Sequence, residues 1–348
     1  MYRKLAVATA VFAVAMGLGF AQPAHPQSRP SGQLRSESQT EYETVEVFQP
    51  GGKIERKTIQ KRPGLAQPGA QAKAALVARS VAGVAQVQRN GDPTARFDLV
   101  FVGDGYTRSQ LETFANQVNA TVNTLFAREP FRSHRNQFNI WRVDVVSPQA
   151  GVDNDPHGTY RTTALDMGFW CQNLARLLCV DENKALQYGA LAPDADQVIA
   201  LGNSATYGGA GGTVATASGG NTQSSNIMIH ELGHSIGGLG DEYEDPYPGF
   251  PCPPTAEVEW PNLSVYNRSA QLQYHLKWYQ DMGQGSPDGG VIDTYQGGAY
   301  CSTGVYRPSY NSIMRSLDAT EFNLPSRDAL IRTFYRCGRS RFSPSWVV

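Results

Sequence analysis

The run His230-Glu231-Leu232-Gly233-His234 constrains this chain more than any other stretch of it. Histidines four positions apart share one face of an α-helix, so the pattern asks for a helix here and lets both imidazoles aim at one point. Glu231 sits directly after the first histidine and brings a carboxylate beside that point. Two nitrogen donors with an adjacent carboxylate meet the needs of a hydrolytic zinc centre: ligands for the ion and a general base for a water. The chain contains only six histidines, which makes a fortuitous HExxH uncommon. Ser224 or Ser225 is placed to cap the helix, and Gly237-Gly238 to end it.

The 348 residues allow one large domain or two smaller ones. A formal net charge of −1 leaves no electrostatic footprint for nucleic acid or an anionic membrane. Arg3 and Lys4 precede an apolar run over 5–20, with the small residues Gly19 and Ala21 at its end. Residues 1–21 are therefore expected to be a secretory signal cleaved after Ala21, which makes the chain secreted or periplasmic with no membrane span remaining. In an exported chain cysteines pair. Cys171 with Cys179 and Cys252 with Cys301 is the expected arrangement, with Cys337 left over, although spacing alone does not dictate it.

Composition shifts divide the rest. Residues 22–40 are rich in Pro, Ser and Gln and are expected to be disordered. Over 41–62, Val45, Val47 and Phe48 precede Pro50-Gly51-Gly52, and Ile54 and Ile59 follow, which predicts a β-hairpin. A hairpin alone is marginal in water, so this one must dock on something. Residues 63–85 read as a linker and 86–348 as the catalytic domain.

Within that domain, Phe97 to Val102 predicts a strand. Thr107 and Gln110 form a capping-box pair that opens a helix carrying Leu111, Phe114, Val118, Val122 and Leu125. Further strands are expected at Asn139–Val146 and Gln197–Leu201, and a helix at Phe169–Leu178. The alternation predicts an α/β fold (mixed α+β) with a central, mainly parallel sheet and an irregular C-terminal subdomain. Tyr207–Ser218 reads either as an edge strand suited to adding an extended peptide or as a plain glycine loop. A last helix begins at Pro325. Asp104, within Gly-Asp-Gly, reads as a turn residue. So does Asp153-Asn154-Asp155, where calcium is conceivable but unsupported by the spacing.

Several runs resemble the IgA-peptidase family of secreted bacterial zinc metallopeptidases, across roughly residues 85–340. They include Phe-Asp-Leu-Val-Phe-Val-Gly-Asp-Gly-Tyr from Phe97, Phe-Asn-Ile-Trp-Arg-Val-Asp from Phe138, and the block from His230 through Asp241-Glu242-Tyr243. The resemblance implies a zinc endopeptidase of metzincin-like fold, and carries over His230, Glu231 and His234. Gly237 stands where metzincins turn the chain after the helix. The position at which most of them place a third histidine is Gly240, which has no side chain. Asp241, next in line, is the expected third ligand, with Glu242, Glu257, Glu259 and His275 as alternatives. Met314, in Asn311-Ser312-Ile313-Met314-Arg315, fits the Met-turn that underlies the metal in that group.

These readings predict peptide-bond hydrolysis by a water that Zn²⁺ acidifies and Glu231 deprotonates, with a polypeptide as substrate. Tyr243, Tyr306 and Tyr310 are the phenols available to a developing oxyanion. A secreted surface-binding protein with a structural zinc would have no use for Glu231. An exopeptidase or amidase acting on cell-wall peptides would need a site for a substrate terminus, which no stretch of the sequence displays.

Overall fold

The computed structural model describes residues 42–49, 51–60, 80–156, 160–245 and 251–335. The expected signal segment, the 22–40 stretch, most of the linker and Cys337 lie outside these residues. The strands in chain order are β1 (Tyr42–Phe48), β2 (Ile54–Gln60), β3 (Val81–Gln88), β4 (Phe97–Asp104), β5 (Phe138–Val145), β6 (Gln197–Gly202), β7 (Gly209–Ala210), β8 (Val214–Ser218), β9 (Tyr295–Gly298) and β10 (Cys301–Arg307). The helices are α1 (Leu111–Leu125), α2 (Glu182–Gly189), α3 (Ser224–Gly237), α4 (Arg268–Tyr274) and α5 (Leu324–Phe334).

The fold is mixed α/β around a six-stranded sheet of order β3-β5-β4-β6-β8-β7. The four inner strands run parallel, and β3 and β7 are antiparallel at the two edges. Strands β4 and β6 are buried along their whole lengths, as parallel strands covered on both faces must be. Alternation then sorts their side chains. Leu99 and Phe101 enter a core with Phe114 and Val118 of α1, Ile227 and Leu232 of α3, and Leu330 of α5. Val100 and Val102 face the opposite way, onto Leu165, Met167, Phe169 and Tyr188. The predicted stripe of α1 supplies Phe114, Val118, Val122 and Leu125 to the first core, and the Thr107–Gln110 capping box precedes it.

Several expectations are corrected. The stretch Phe169–Leu178 is not a helix: Trp170 and Asn173 take φ of 62° and 64°, and the Cys171–Cys179 disulfide closes the segment into a loop around one short 3-10 turn. The helix comes later, as α2, where the Asp181 side chain accepts the Lys184 N–H as its cap. The edge strand is β7 rather than β8, because Gly209 and Ala210 fold back onto Ala217 and Thr216. Strand β3 begins at Val81, inside the span read as linker, and joins the sheet beside β5. Neither Ser224 nor Ser225 caps α3; its N-cap is Gln223, and Ser224 Oγ instead accepts the Gly208 N–H at 3.3 Å. The second disulfide, Cys252–Cys301, ties the irregular C-terminal half to β10.

Asp104 is more than a turn residue. Fully buried at the end of β4, it accepts from Ser147 Oγ (3.0 Å), Thr163 Oγ1 (2.8 Å), Leu165 N (2.9 Å) and Met167 N (2.8 Å). One carboxylate thus pins the loop that covers the sheet's second face. Asp104→Ala strands those donors in a dry site and is expected to cost at least about 3 kcal/mol in urea unfolding. A loss under about 1 kcal/mol would show that the loop is held elsewhere.

Candidate metal centre

Helix α3 is buried through Ile227, Met228, Ile229, Leu232 and Ile236, and turns its two histidines toward the chain that follows it. Gly238 ends the helix in the left-handed conformation (φ 59°), its N–H returning to the carbonyls of Gly233 and His234. That reversal brings the Leu239 carbonyl to 2.7 Å from His234 Nδ1. From the other side the Ile313 carbonyl lies 2.9 Å from His230 Nδ1. A carbonyl only accepts, so each Nδ1 carries the donated proton, and each ring, when neutral, turns its Nε2 lone pair inward.

The two Nε2 atoms stand 3.0 Å apart. Asp241 Oδ1 lies 3.5 Å from that of His230 and 3.2 Å from that of His234. Glu46 Oε2, from β1, is 3.1 Å and 4.0 Å from the same two atoms. One donor atom from each of Glu46, His230, His234 and Asp241 falls within 4.8 Å of the others, a group that can hold a metal ion. The donor chemistry fits one: two imidazole lone pairs and two carboxylates converge, and the buried Asp241 Oδ1 has no hydrogen-bond partner.

A second layer orients the carboxylates. Tyr300 O–H donates to Asp241 Oδ2 and Tyr243 O–H to Glu46 Oε1, both at 2.5 Å. The Arg56 guanidinium lies 3.7 Å from Glu46 and 3.8 Å from Asp241, and 4.3 Å above the Tyr300 ring. Glu231 is buried beside the cluster, and its Oε1 is unpartnered. Burial, reinforced by the Glu46 charge, pushes its carboxyl up to about 7. It rests against Gly211, where an added Cβ would meet Glu231 Oε2 at 1.9 Å.

The expected residues separate clearly. His230, His234 and Asp241 meet, with Glu231 alongside. Glu242 points away and is fixed by Asn262 (2.9 Å), Asn323 (2.8 Å) and Ser312 (2.7 Å). Glu257 pairs with Lys277 at 3.1 Å, Glu259 is exposed, and His275 stacks on Tyr279 at the end of α4. Of the three phenols, Tyr243 bonds to a member of the cluster; Tyr306 is in β10, and Tyr310 is 63% exposed. Met314 is fully buried under α3, packed so closely that a Cβ on Gly233 would lie 2.5 Å from its Sδ. Asp153 and Asn154 bond to Arg161 and Thr206 as loop residues, apart from the metal-type cluster found among the described residues.

Sequence reasoning missed Glu46, Arg56 and Tyr300. The available signal was a charge at Glu46 flanked by Val45, Val47 and Phe48, in a strand that had to dock on a partner.

Binding of a metal ion by this cluster would be coupled to protons. Burial disfavours the imidazolium forms, yet the facing carboxylates outweigh it: His230 is raised, and His234 reaches about 9. With the Nε2 atoms 3.0 Å apart, both cannot hold protons toward one point, whereas a divalent cation satisfies both lone pairs. Binding of such an ion at pH 7 is expected to release about one proton per ion, and affinity to rise with pH up to about 9. Titration in weakly buffered solution measures this; uptake without proton release would place the ion elsewhere.

A family model described as IgA Peptidase M64 matches residues 85–289 and 280–334. No curated protein matches the chain significantly.

Proposed function

Because the chain belongs to the IgA peptidase M64 family, a family of peptidases, we propose that it is a secreted zinc endopeptidase with His230, His234 and Asp241 as the metal ligands and Glu231 as general base. The observation that carries this reading is the pair of imidazoles whose Nδ1–H groups are bound by the Ile313 and Leu239 carbonyls, so that both Nε2 atoms face the Asp241 carboxylate. A zinc ion bound there would supply Lewis acidity to a water and to the scissile carbonyl.

The chain's own groups do the rest. Glu231, buried and with a raised affinity for protons, accepts one from the attacking water and returns it to the departing amine. Tyr243 O–H, which donates to a carboxylate oxygen beside the imidazoles, is the phenol we assign to the developing oxyanion. The β7 edge, next to Glu231 through Gly211, offers backbone groups to an extended substrate. Met314 under α3, one residue past the carbonyl that holds His230, suits the role of a Met-turn. Export is supported by the signal-like N-terminus and the two disulfides, and no helix among the described residues is long and apolar enough to cross a membrane.

Cleavage of a diverse peptide library, mapped by mass spectrometry, tests the activity. Since β1 and β2 lie over the cluster, the assay is run on the intact chain and on chain trimmed by limited proteolysis. Internal cuts that disappear with chelation are expected. Glu231→Gln is expected to keep stoichiometric zinc and lose about 10²- to 10⁴-fold in kcat; wild-type turnover in that variant would exclude Glu231 as the base. Gly211→Ala, which forces the Glu231 carboxylate aside, is expected to depress kcat with metal content unchanged. An unaltered kcat would mean that Glu231 needs no such seat.

A further inference from the structure

Glu46 lies 184 positions before His230 in sequence, on a hairpin outside the residues that the family model matches, yet it completes the cluster. A catalytic zinc keeps one coordination position open for water or substrate, whereas four protein donors make a closed site. Resting on the metal-site reading above, we propose that Glu46 is a fourth protein ligand and that β1 and β2 form an intramolecular inhibitor, which holds the intact chain latent by filling the water and substrate positions.

The carboxylate is placed as a stand-in for a reacting carbonyl. Its Oε2 faces the imidazole nitrogens and its Oε1 takes the Tyr243 O–H at 2.5 Å, so the carboxylate occupies both the phenol assigned to the oxyanion and the side of the imidazoles where a metal would sit. Its cross-strand partner on β2 is Arg56, which lies near both Glu46 and Asp241 and draws charge from the ligand that remains when the hairpin leaves. Two anionic donors also balance the charge of a divalent ion in a buried site, where an unpaired charge is costly.

The rest of the hairpin is built to stay down. Val47, Phe48, Ile54 and Ile59 are buried, and the Phe48 ring meets His230 edge-on at 5.8 Å. Val45 and Ile59 pack with Ala210 of β7 and Leu177 in the disulfide loop. Strand β1 therefore runs beside the β7 edge, to which an extended peptide would add, while belonging to a separate two-stranded sheet. At the far end, Gly52 O accepts from Leu317 N (2.9 Å) and Ser316 Oγ (3.1 Å). A Cβ at Gly52 (φ 83°) would lie 2.4 Å from Asp318 N, so the turn seats only without a side chain. The hairpin thus bridges the site from the β7 edge to the segment just past Met314, the ground a substrate would cover.

The test uses the full chain loaded with Co²⁺, as wild type, Glu46→Ala and Gly52→Val. Visible absorption of the cobalt reports coordination, and acetohydroxamate serves as a small probe of an open position. In Glu46→Ala the cobalt spectrum is expected to change, acetohydroxamate to bind at least tenfold more tightly than in wild type, and peptide turnover to rise. Gly52→Val, which frees the turn without touching a ligand, is expected to raise turnover in the same direction. Wild-type chain that binds acetohydroxamate as tightly as Glu46→Ala, or cobalt spectra that coincide, would overturn the proposal while leaving the metal site standing. Failure of all three chains to bind Co²⁺ would overturn both.

Discussion

Two backbone carbonyls fix the orientation of both imidazoles in this cluster. Ile313 and Leu239 accept the Nδ1 protons of His230 and His234, and without them neither ring would be committed to presenting a lone pair at Nε2. Each carbonyl is delivered by a different device. Leu239 arrives through the left-handed turn at Gly238, next to the helix that carries the histidines. Ile313 arrives from the C-terminal half, held where Ser312 donates to Glu242 and the Glu242 N–H donates to the Met314 carbonyl at 2.8 Å. Buried Glu242 gathers Asn262, Asn323 and Ser312, so three distant segments converge on one carboxylate a single residue past Asp241. It positions the chain around Asp241 rather than joining the cluster.

How much of this could be read from the residues follows from what is local. The helix period put His230 and His234 on one face, the glycines after them marked the reversal, and Asp241 was within reach once Gly240 was seen to have no side chain. Strand β4 was legible as an apolar run, β5 and β6 as strands alternating with helices, and α1 from its stripe and capping box, whereas the inner strand β8 was taken for an edge. Non-local contacts were not legible. Glu46 and Arg56 reach the cluster because a hairpin docks there, and strand alternation says which side chains share a face, not what that face will meet. Tyr300 and the two carbonyls leave no mark in composition. The false helix at Phe169–Leu178 shows the reverse failure: apolar spacing suited a helix, but the disulfide and two left-handed residues made a loop.

Electrostatics link the proposed chemistry to the proposed latency. The cluster sets two carboxylates and a third, Glu231, in a buried space where Arg56 is the fixed cation paired with Glu46 and Asp241 among the described residues. Such a site is unfavourable without a compensating positive charge, which protons on the imidazoles provide in part and a divalent ion provides better. Binding the ion and binding Glu46 are mutually reinforcing for the same reason. The hairpin that makes the site stable would also make it unreactive, and its loss would open a coordination position and remove Arg56 together.

Anomalous diffraction at the zinc edge, from crystals of the intact, zinc-loaded chain, identifies the side chains that hold the ion. One strong peak is expected, in contact with His230 Nε2, His234 Nε2 and Asp241 Oδ1, and with Glu46 Oε2 on the remaining side. A peak that touches neither imidazole, or a fully loaded chain whose ion lies away from Asp241, would contradict this ligand assignment.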